Sequence, residues 1–136
     1  EPEIFHTAVR KLGARAALFV GDRIDTDISG ANRAGIDSVV VMTGVATRKE
    51  LLGLKPEHRP KFIIGDLGEL LKTYQAPKAT KHGFKCGKAL VELLGNKVRV
   101  VDGDPKSLDV LRAACAVIYN AELPIYALDV EPAIYE

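Results

Sequence analysis

Gly21-Asp22-Arg23-Ile24-Asp25-Thr26-Asp27 puts three carboxylates within six residues, directly after the apolar run AALFV at 16–20. That run reads as a buried strand of a parallel sheet. In open parallel sheets, ligands bind at the carboxyl ends of strands, which is where Asp22 falls. A carboxylate at a strand end, with another five residues on, suits a hard divalent cation such as Mg²⁺. Gly21 removes a side chain where backbone and ligand approach closely. Burying unpaired carboxylates is costly, so an ion or a cationic partner is expected beside them. Two other roles fit part of the stretch. Asp25 or Asp27 can act as a helix N-terminal cap that complements the dipole. Asp25-x-Asp27-x-Ser29-Gly30 also opens like a calcium-binding EF-hand loop. It fails there, because Ile36 stands where the bidentate Glu belongs and Arg33 at the ninth position. The glycines form neither a dinucleotide fingerprint nor a P-loop.

The other reactive side chains are scattered. His6, His58 and His82 have no Cys or His partner at ligand spacing, so surface or packing roles are expected. No Gly-x-Ser-x-Gly elbow exists, and no Cys–His pairing is suggested. Asp66, in IIGDLGEL, repeats the Gly-Asp-after-strand arrangement and reads as an N-cap. Cys86 and Cys115 are too few and too far apart for a disulfide framework or a metal knuckle, so both are expected to be buried, structural and reduced.

The elements that must position Asp22 follow from hydrophobic spacing. Ile4, Phe5, Ala8, Val9 and Leu12 recur at helical spacing before Gly13. After the strand at 16–20, residues 26–34 read as a helix stopped by Gly35. Strands are expected at 39–42 and 62–65, a short helix or turn at 48–54, and a helix at 67–74. Strands alternating with helices imply βαβ units and a parallel sheet. The expected fold class is α/β, half of a doubly wound domain. Residues 76–83 (APKATKHG) read as a linker. Lys72, Lys78, Lys81, Lys85 and Lys88 surround it without an acidic neighbour, as a solvated stretch or an anion-attracting patch. Behind it a small α+β module is expected over 84–136: a hairpin turning at Gly95-Asn96, a helix over 106–120 capped by Asp104 or Asp102-Gly103, and a last strand at 125–130. On that helix Leu108, Leu111, Cys115 and Ile118 share one face.

Gly21-Asp22-Arg23-Ile24-Asp25-Thr26-Asp27-Ile28, then Gly30-Ala31-Asn32-Arg33-Ala34-Gly35, then VVVMTGVAT resembles the haloacid-dehalogenase-like (HAD) hydrolases. The subclass is similar to IIA, the NagD-type phosphatases with a large α/β cap, whose fourth motif is Gly-Asp-x-x-x-Thr-Asp. Thr43-Gly44-Val45 and Arg59-Pro60-x-Phe62 resemble that subclass too. The resemblance covers residues 1 to about 75. It implies that Asp22 binds Mg²⁺ directly and that Asp27 acts near the metal, orienting water or a neighbouring cation. Thr26 and Gly21 would support their geometry. The family's reaction passes through an aspartyl-phosphate: one Asp attacks the phosphoryl group, a second serves as acid and base, and water hydrolyses the intermediate.

The family's Asp-x-Asp nucleophile motif has no equivalent in this sequence, and the catalytic Lys would lie just upstream of Glu1. The chain is therefore expected to be the C-terminal portion of a longer enzyme, inactive alone, with the missing N-terminal half of the same protein as its partner. Residues 84–135 resemble the degenerate acetyltransferase-like (GNAT-like) extension of some actinobacterial members in Phe84-x-Cys86-Gly87 and in element order. The acetyltransferase cofactor loop is absent, so a packing or homodimerisation role is expected there.

The sequence has 136 residues, with 19 Lys+Arg against 18 Asp+Glu. That balance argues against a nucleic-acid protein held mainly by charge. No apolar run approaches the ~20 residues of a membrane helix, and no secretory signal opens the chain, so a cytoplasmic protein is expected. The leading functional expectation is a Mg²⁺-dependent phosphatase acting on a small phosphorylated metabolite, glycerol 3-phosphate or a sugar phosphate. The alternative is a non-catalytic binding or dimerisation module derived from the same fold.

Overall fold

The computed structural model describes residues 18–43 and 45–136, which divide into two compact units. The expected first helix (4–12) and His6 lie outside the described residues. The first unit holds the described residues up to Thr47 together with Leu54–Tyr74. The second holds Arg48–Gly53 and Gln75–Glu136. Among the described residues, no helix is long and apolar enough to cross a membrane.

In the first unit, β1 (Leu18–Gly21), β2 (Asp37–Val41) and β3 (Phe62–Ile64) form a parallel sheet in that order. Leu18 stands opposite Asp37, Gly21 opposite Val40, and Val41 opposite Ile64. Leu18, Val39, Val41, Ile64 and Leu70 make one apolar cluster, with Val20, Phe62 and Tyr74 packed on it. Burying such side chains stabilises the unit by about 1.5–3 kcal/mol each. Tyr74 also meets Phe62 edge to face at 5.0 Å, and its hydroxyl accepts from Ile63 N–H at 2.9 Å.

Between β1 and β2 the chain winds first as a π-helical turn, Ile24–Ile28, and then as α1, Ser29–Arg33. The helical stretch thus starts earlier than the expected 26–34, because Ile24 and Ile28 are both buried and anchor the wider turn. It stops as expected at Gly35, whose φ of +73° suits glycine. Residues 67–74 differ: only Leu67–Leu71 coil, as a 3₁₀ turn. Asp66 caps it, accepting from Gly68 N–H at 2.9 Å. Leu70 alone of that turn is buried, so too little apolar surface is available to extend it.

In the second unit, α2 (Arg48–Leu52) precedes a five-stranded sheet. Its strands are β4 (Lys78–Ala79), β5 (Gly83–Cys86), β6 (Ala89–Leu94), β7 (Lys97–Asp102) and β8 (Asp129–Val130). Pairing is antiparallel except between β7 and β8. The stretch read as a linker thus contributes a strand, with Lys78 directly opposite Lys85. Of the expected strand at 125–130, Ile125–Ala127 is a 3₁₀ turn and only Asp129–Val130 pairs.

Helix α3 (Leu108–Tyr119) covers this sheet. Its N-cap is Ser107, which accepts from Val110 N–H at 3.1 Å, rather than Asp104 or Asp102. Asp104 instead accepts from Lys106 N–H at 3.0 Å and shapes the turn before the helix. Burial extends beyond the Leu111–Cys115–Ile118 stripe to Val110, Ala113, Ala114 and Val117. The reason is that α2 and the C-terminal turn Pro132–Ile134 also pack on α3.

Candidate functional site

The carboxylates gather where β1 ends. Gly21 is the last residue of the strand, Asp22 follows exposed, and the π-helical turn then carries Asp25, Thr26 and Asp27. Single π turns inside helices recur at functional sites, because the extra residue re-aims side chains. Here the turn closes through Asp27 N–H donating to Arg23 C=O at 3.0 Å.

Gly21 and Asp27 are in direct opposition. A Cβ on residue 21 would lie 2.4 Å from Asp27 Cβ and 2.6 Å from Asp27 Oδ2. No side chain fits in that gap, so glycine at 21 is what lets the Asp27 carboxylate lie over the strand end beside Asp22. Asp27 Oδ2 also accepts from Arg23 N–H at 3.3 Å. Asp22 is tied through its backbone, its C=O accepting from Ala46 N–H at 3.2 Å. That bond joins the β1 loop to the loop after β2, so two adjacent strand ends shape one site.

The remaining motif residues do other things. Asp25 points outward and pairs with the Arg23 guanidinium at 3.5 Å, both largely exposed, so the pair adds little stability. Thr26 is exposed, and its C=O accepts from Ser29 N–H. The structure therefore sets Asp27 directly against Gly21, with Asp22 next along the chain and Asp25 paired with Arg23.

A polar network beneath the turn was not foreseen from sequence. Ser29, almost fully buried, donates from Oγ to Ile24 C=O at 2.8 Å. With that proton committed, Ser29 Oγ accepts from His58 Nδ1 at 2.5 Å. Asn32 Nδ2 donates to Glu57 C=O at 3.0 Å and Arg59 C=O at 2.9 Å, while Asn32 Oδ1 accepts from buried Ser38 Oγ at 3.2 Å. His58 thus has the packing role expected of it. Ser29, Asn32 and Ser38 gave no spacing signal, because their partners are backbone groups far along the chain.

Residues 1–70 match the profile of the family described as HAD-hydrolase-like. The D-glycerol 3-phosphate phosphatase of Mycobacterium tuberculosis is 46% identical over 127 residues, 88% of this chain and 35% of that protein. A glyceraldehyde 3-phosphate phosphatase of Methanopyrus kandleri is 51% identical over 45 residues, 32% of this chain and 19% of its own length. The crystal structure of glycerol phosphate phosphatase Rv1692 from Mycobacterium tuberculosis, in complex with magnesium, superposes with a TM-score of 0.66 at 34% identity. It covers 93% of this chain and 36% of that one. The chain thus spans about a third of the length of these mycobacterial relatives.

These likenesses correct several expectations. The resemblance was expected to end near residue 75, with a C-terminal half of a HAD sheet before it and a GNAT-like extension behind. It runs instead through 93% of the chain in structure and 88% in sequence, so residues 84–136 belong to the same match as the motif. The GNAT-like resemblance and the confinement of the HAD likeness to residues 1–75 are not retained, although the chain does divide into two compact units between Tyr74 and Gln75. The chain was also expected to be inactive, lacking a nucleophile-bearing half that would be its partner. A phosphatase matches 88% of this chain in sequence and 93% in structure, so the expectation of an inactive fragment or binding module is not retained.

Proposed function

The chain belongs to the HAD-hydrolase-like family, and on that premise we propose that it serves a Mg²⁺-dependent phosphatase acting on a small phosphorylated polyol or sugar, glycerol 3-phosphate first. The observation that carries the proposal is the gap at Gly21, which admits the Asp27 carboxylate beside the Asp22 strand end.

The donor set fits Mg²⁺. That ion keeps several waters and takes one or two carboxylates plus phosphate oxygens, rather than a full protein cage. Asp22 and Asp27 supply hard oxygens, and among the described residues no group of three or more His, Cys, Asp or Glu is placed to hold a metal ion, so these two carboxylates would be the described residues' whole share. Asp22 would hold the ion directly, and Asp27 would hold its water or a neighbouring cation. Bound there, Mg²⁺ offsets the charge of the phosphoryl oxygens and of an attacking carboxylate.

The chain's own residues set that geometry in advance. Gly21 and the Arg23 N–H fix where the Asp27 carboxylate stands. Ala46 N–H holds the Asp22 backbone. Ser29, His58 and Asn32 tie the π turn and α1 to the 57–59 turn, so the carboxylates need not reorganise when substrate arrives. Glycerol 3-phosphate leads because the relative matching 88% of this chain acts on it. Cytoplasmic residence is proposed with it; Cys86 and Cys115 are both buried and neither forms a disulfide, which is compatible with a reducing compartment.

The test is phosphate release from glycerol 3-phosphate, glyceraldehyde 3-phosphate, phosphoglycolate and dihydroxyacetone phosphate, with and without Mg²⁺. Mg²⁺-dependent turnover, fastest on glycerol 3-phosphate, is expected. Turnover that persists in chelator, or none on any of the four, would overturn the proposal.

A further inference from the structure

The second unit holds an open cavity of about 330 Å³, within the size range of small-ligand sites. Its walls are apolar: Leu52 from α2, and Ile125, Leu128 and Val130 from the segment leading into β8. Three polar side chains reach it, and their charges do not cancel. Asp129 is already engaged, its Oδ2 accepting from Arg99 Nη2 at 3.0 Å. Lys49 makes no ion pair among the described residues. Its ammonium stands 5.9 Å from the centre of the Tyr135 ring, which also lines the cavity.

The walls are held by bonds that do not involve a ligand. Arg48, next to Lys49, donates to Ile134 C=O at 2.5 Å and Pro105 C=O at 2.7 Å, anchoring α2 to the turn that precedes Tyr135. Tyr119 OH donates to Leu51 C=O at 2.6 Å. On the far wall, Asp129 N–H donates to Asn96 C=O at 2.7 Å, and Asn96 Nδ2 donates to Ala127 C=O at 3.2 Å. A site fixed in this way gives up little conformational entropy on binding.

We propose that this cavity binds a small monocarboxylate with a short apolar body. Lys49 takes the carboxylate, Tyr135 covers one face of the body, and Leu52, Leu128 and Val130 take its hydrocarbon. Lys49 is the one cation among the lining residues, which matches a monoanion. A dianionic phosphate ester would leave one charge without a partner on a mostly apolar surface. The cavity's residues all belong to the second unit, whereas Asp22 and Asp27 belong to the first, and the proposal does not rest on the phosphatase reading.

The experiment titrates ¹⁵N-labelled protein with sodium hexanoate, and with 1-hexanol as the uncharged control, and follows amide shifts. Saturable shifts are expected at Leu52, Gly53, Leu128, Val130 and Tyr135, with millimolar affinity, as a ligand of this size permits. Lys49→Met weakens hexanoate about tenfold and leaves hexanol unchanged, the loss of one charge-assisted bond. Lys49→Arg retains hexanoate binding. Lys49 is exposed, so neither variant threatens folding. Shifts that do not saturate, that centre elsewhere, or that are as strong in Lys49→Met as in the parent overturn the proposal.

Discussion

Replacing Gly21 by Ala adds one methyl group, and the structure says where it goes. The new Cβ falls 2.4 Å from Asp27 Cβ and 2.6 Å from its Oδ2. The nearest atom is a Cβ, fixed to its backbone, so a rotamer change cannot relieve the overlap. Asp27 must retreat by about half an ångström to reach even 3.0 Å, a distance real Cβ contacts rarely go below. The π turn resists, because Asp27 N–H is bonded to Arg23 C=O and buried Ile24 and Ile28 flank it. Overpacking of this kind costs about 1–3 kcal/mol of stability. Displacing a positioned carboxylate by a fraction of an ångström to one ångström lowers turnover by up to about 10²-fold. Gly30→Ala is the matched control. Nothing lies within 4 Å of its would-be Cβ, and it sits in α1, so the same methyl should stabilise by about 0.5–1 kcal/mol. Urea unfolding and Mg²⁺-dependent phosphate release on both variants read these effects separately. Gly21→Ala with parental stability and rate would refute the claim that this gap sets Asp27.

Asn32→Ala leaves Glu57 C=O and Arg59 C=O without their donor and Ser38 Oγ without its acceptor; a loss of about 2–3 kcal/mol in urea unfolding is expected. Ser107→Ala removes the α3 cap and should cost about 1 kcal/mol by the same measurement, whereas Asp104→Ala should cost less. Burial, and then the neighbouring Asp109 carboxylate, push the Cys86 thiol up to about 11 from 9.0. Alkylation of the folded protein at Cys86 should therefore be slow at neutral pH. Because the unfolded thiol ionises first, stability contributed here is complete below pH 9 and declines towards pH 11, and Cys86→Ser should flatten that part of the pH–stability curve.

The site was legible in part from sequence because its signal is local. Gly21, Asp22 and Asp27 lie within seven residues after an apolar run, and strand ends are where such groups act. The three parallel strands showed as short apolar runs between turn residues. What was hidden depends on distant pairing. Ser29 and His58 are 29 residues apart, and their contact exists only once β3 lies beside β2. Strand β4 sits in a Pro- and Lys-rich stretch with no alternation, and it pairs because β5 offers an open edge. The cap of α3 was assigned to Asp104 or Asp102, since both are strong cap formers; Ser107 won because it stands next to the first helical residue. Beyond residue 75 only Phe84-x-Cys86-Gly87 and the element order offered a signal, and both pointed to a GNAT-like extension rather than to one likeness running along nearly the whole chain.

The most direct test of the account is the rate of phosphate release from glycerol 3-phosphate at saturating Mg²⁺, compared between the protein and its Asp22→Asn variant. The substitution keeps size, removes the charge at the exposed strand end and turns one acceptor oxygen into a donor. The account predicts Mg²⁺-dependent release in the parent and a fall of at least about 10²-fold in the variant, with unfolding unchanged. An Asp22→Asn variant that releases phosphate at the parental rate would contradict it.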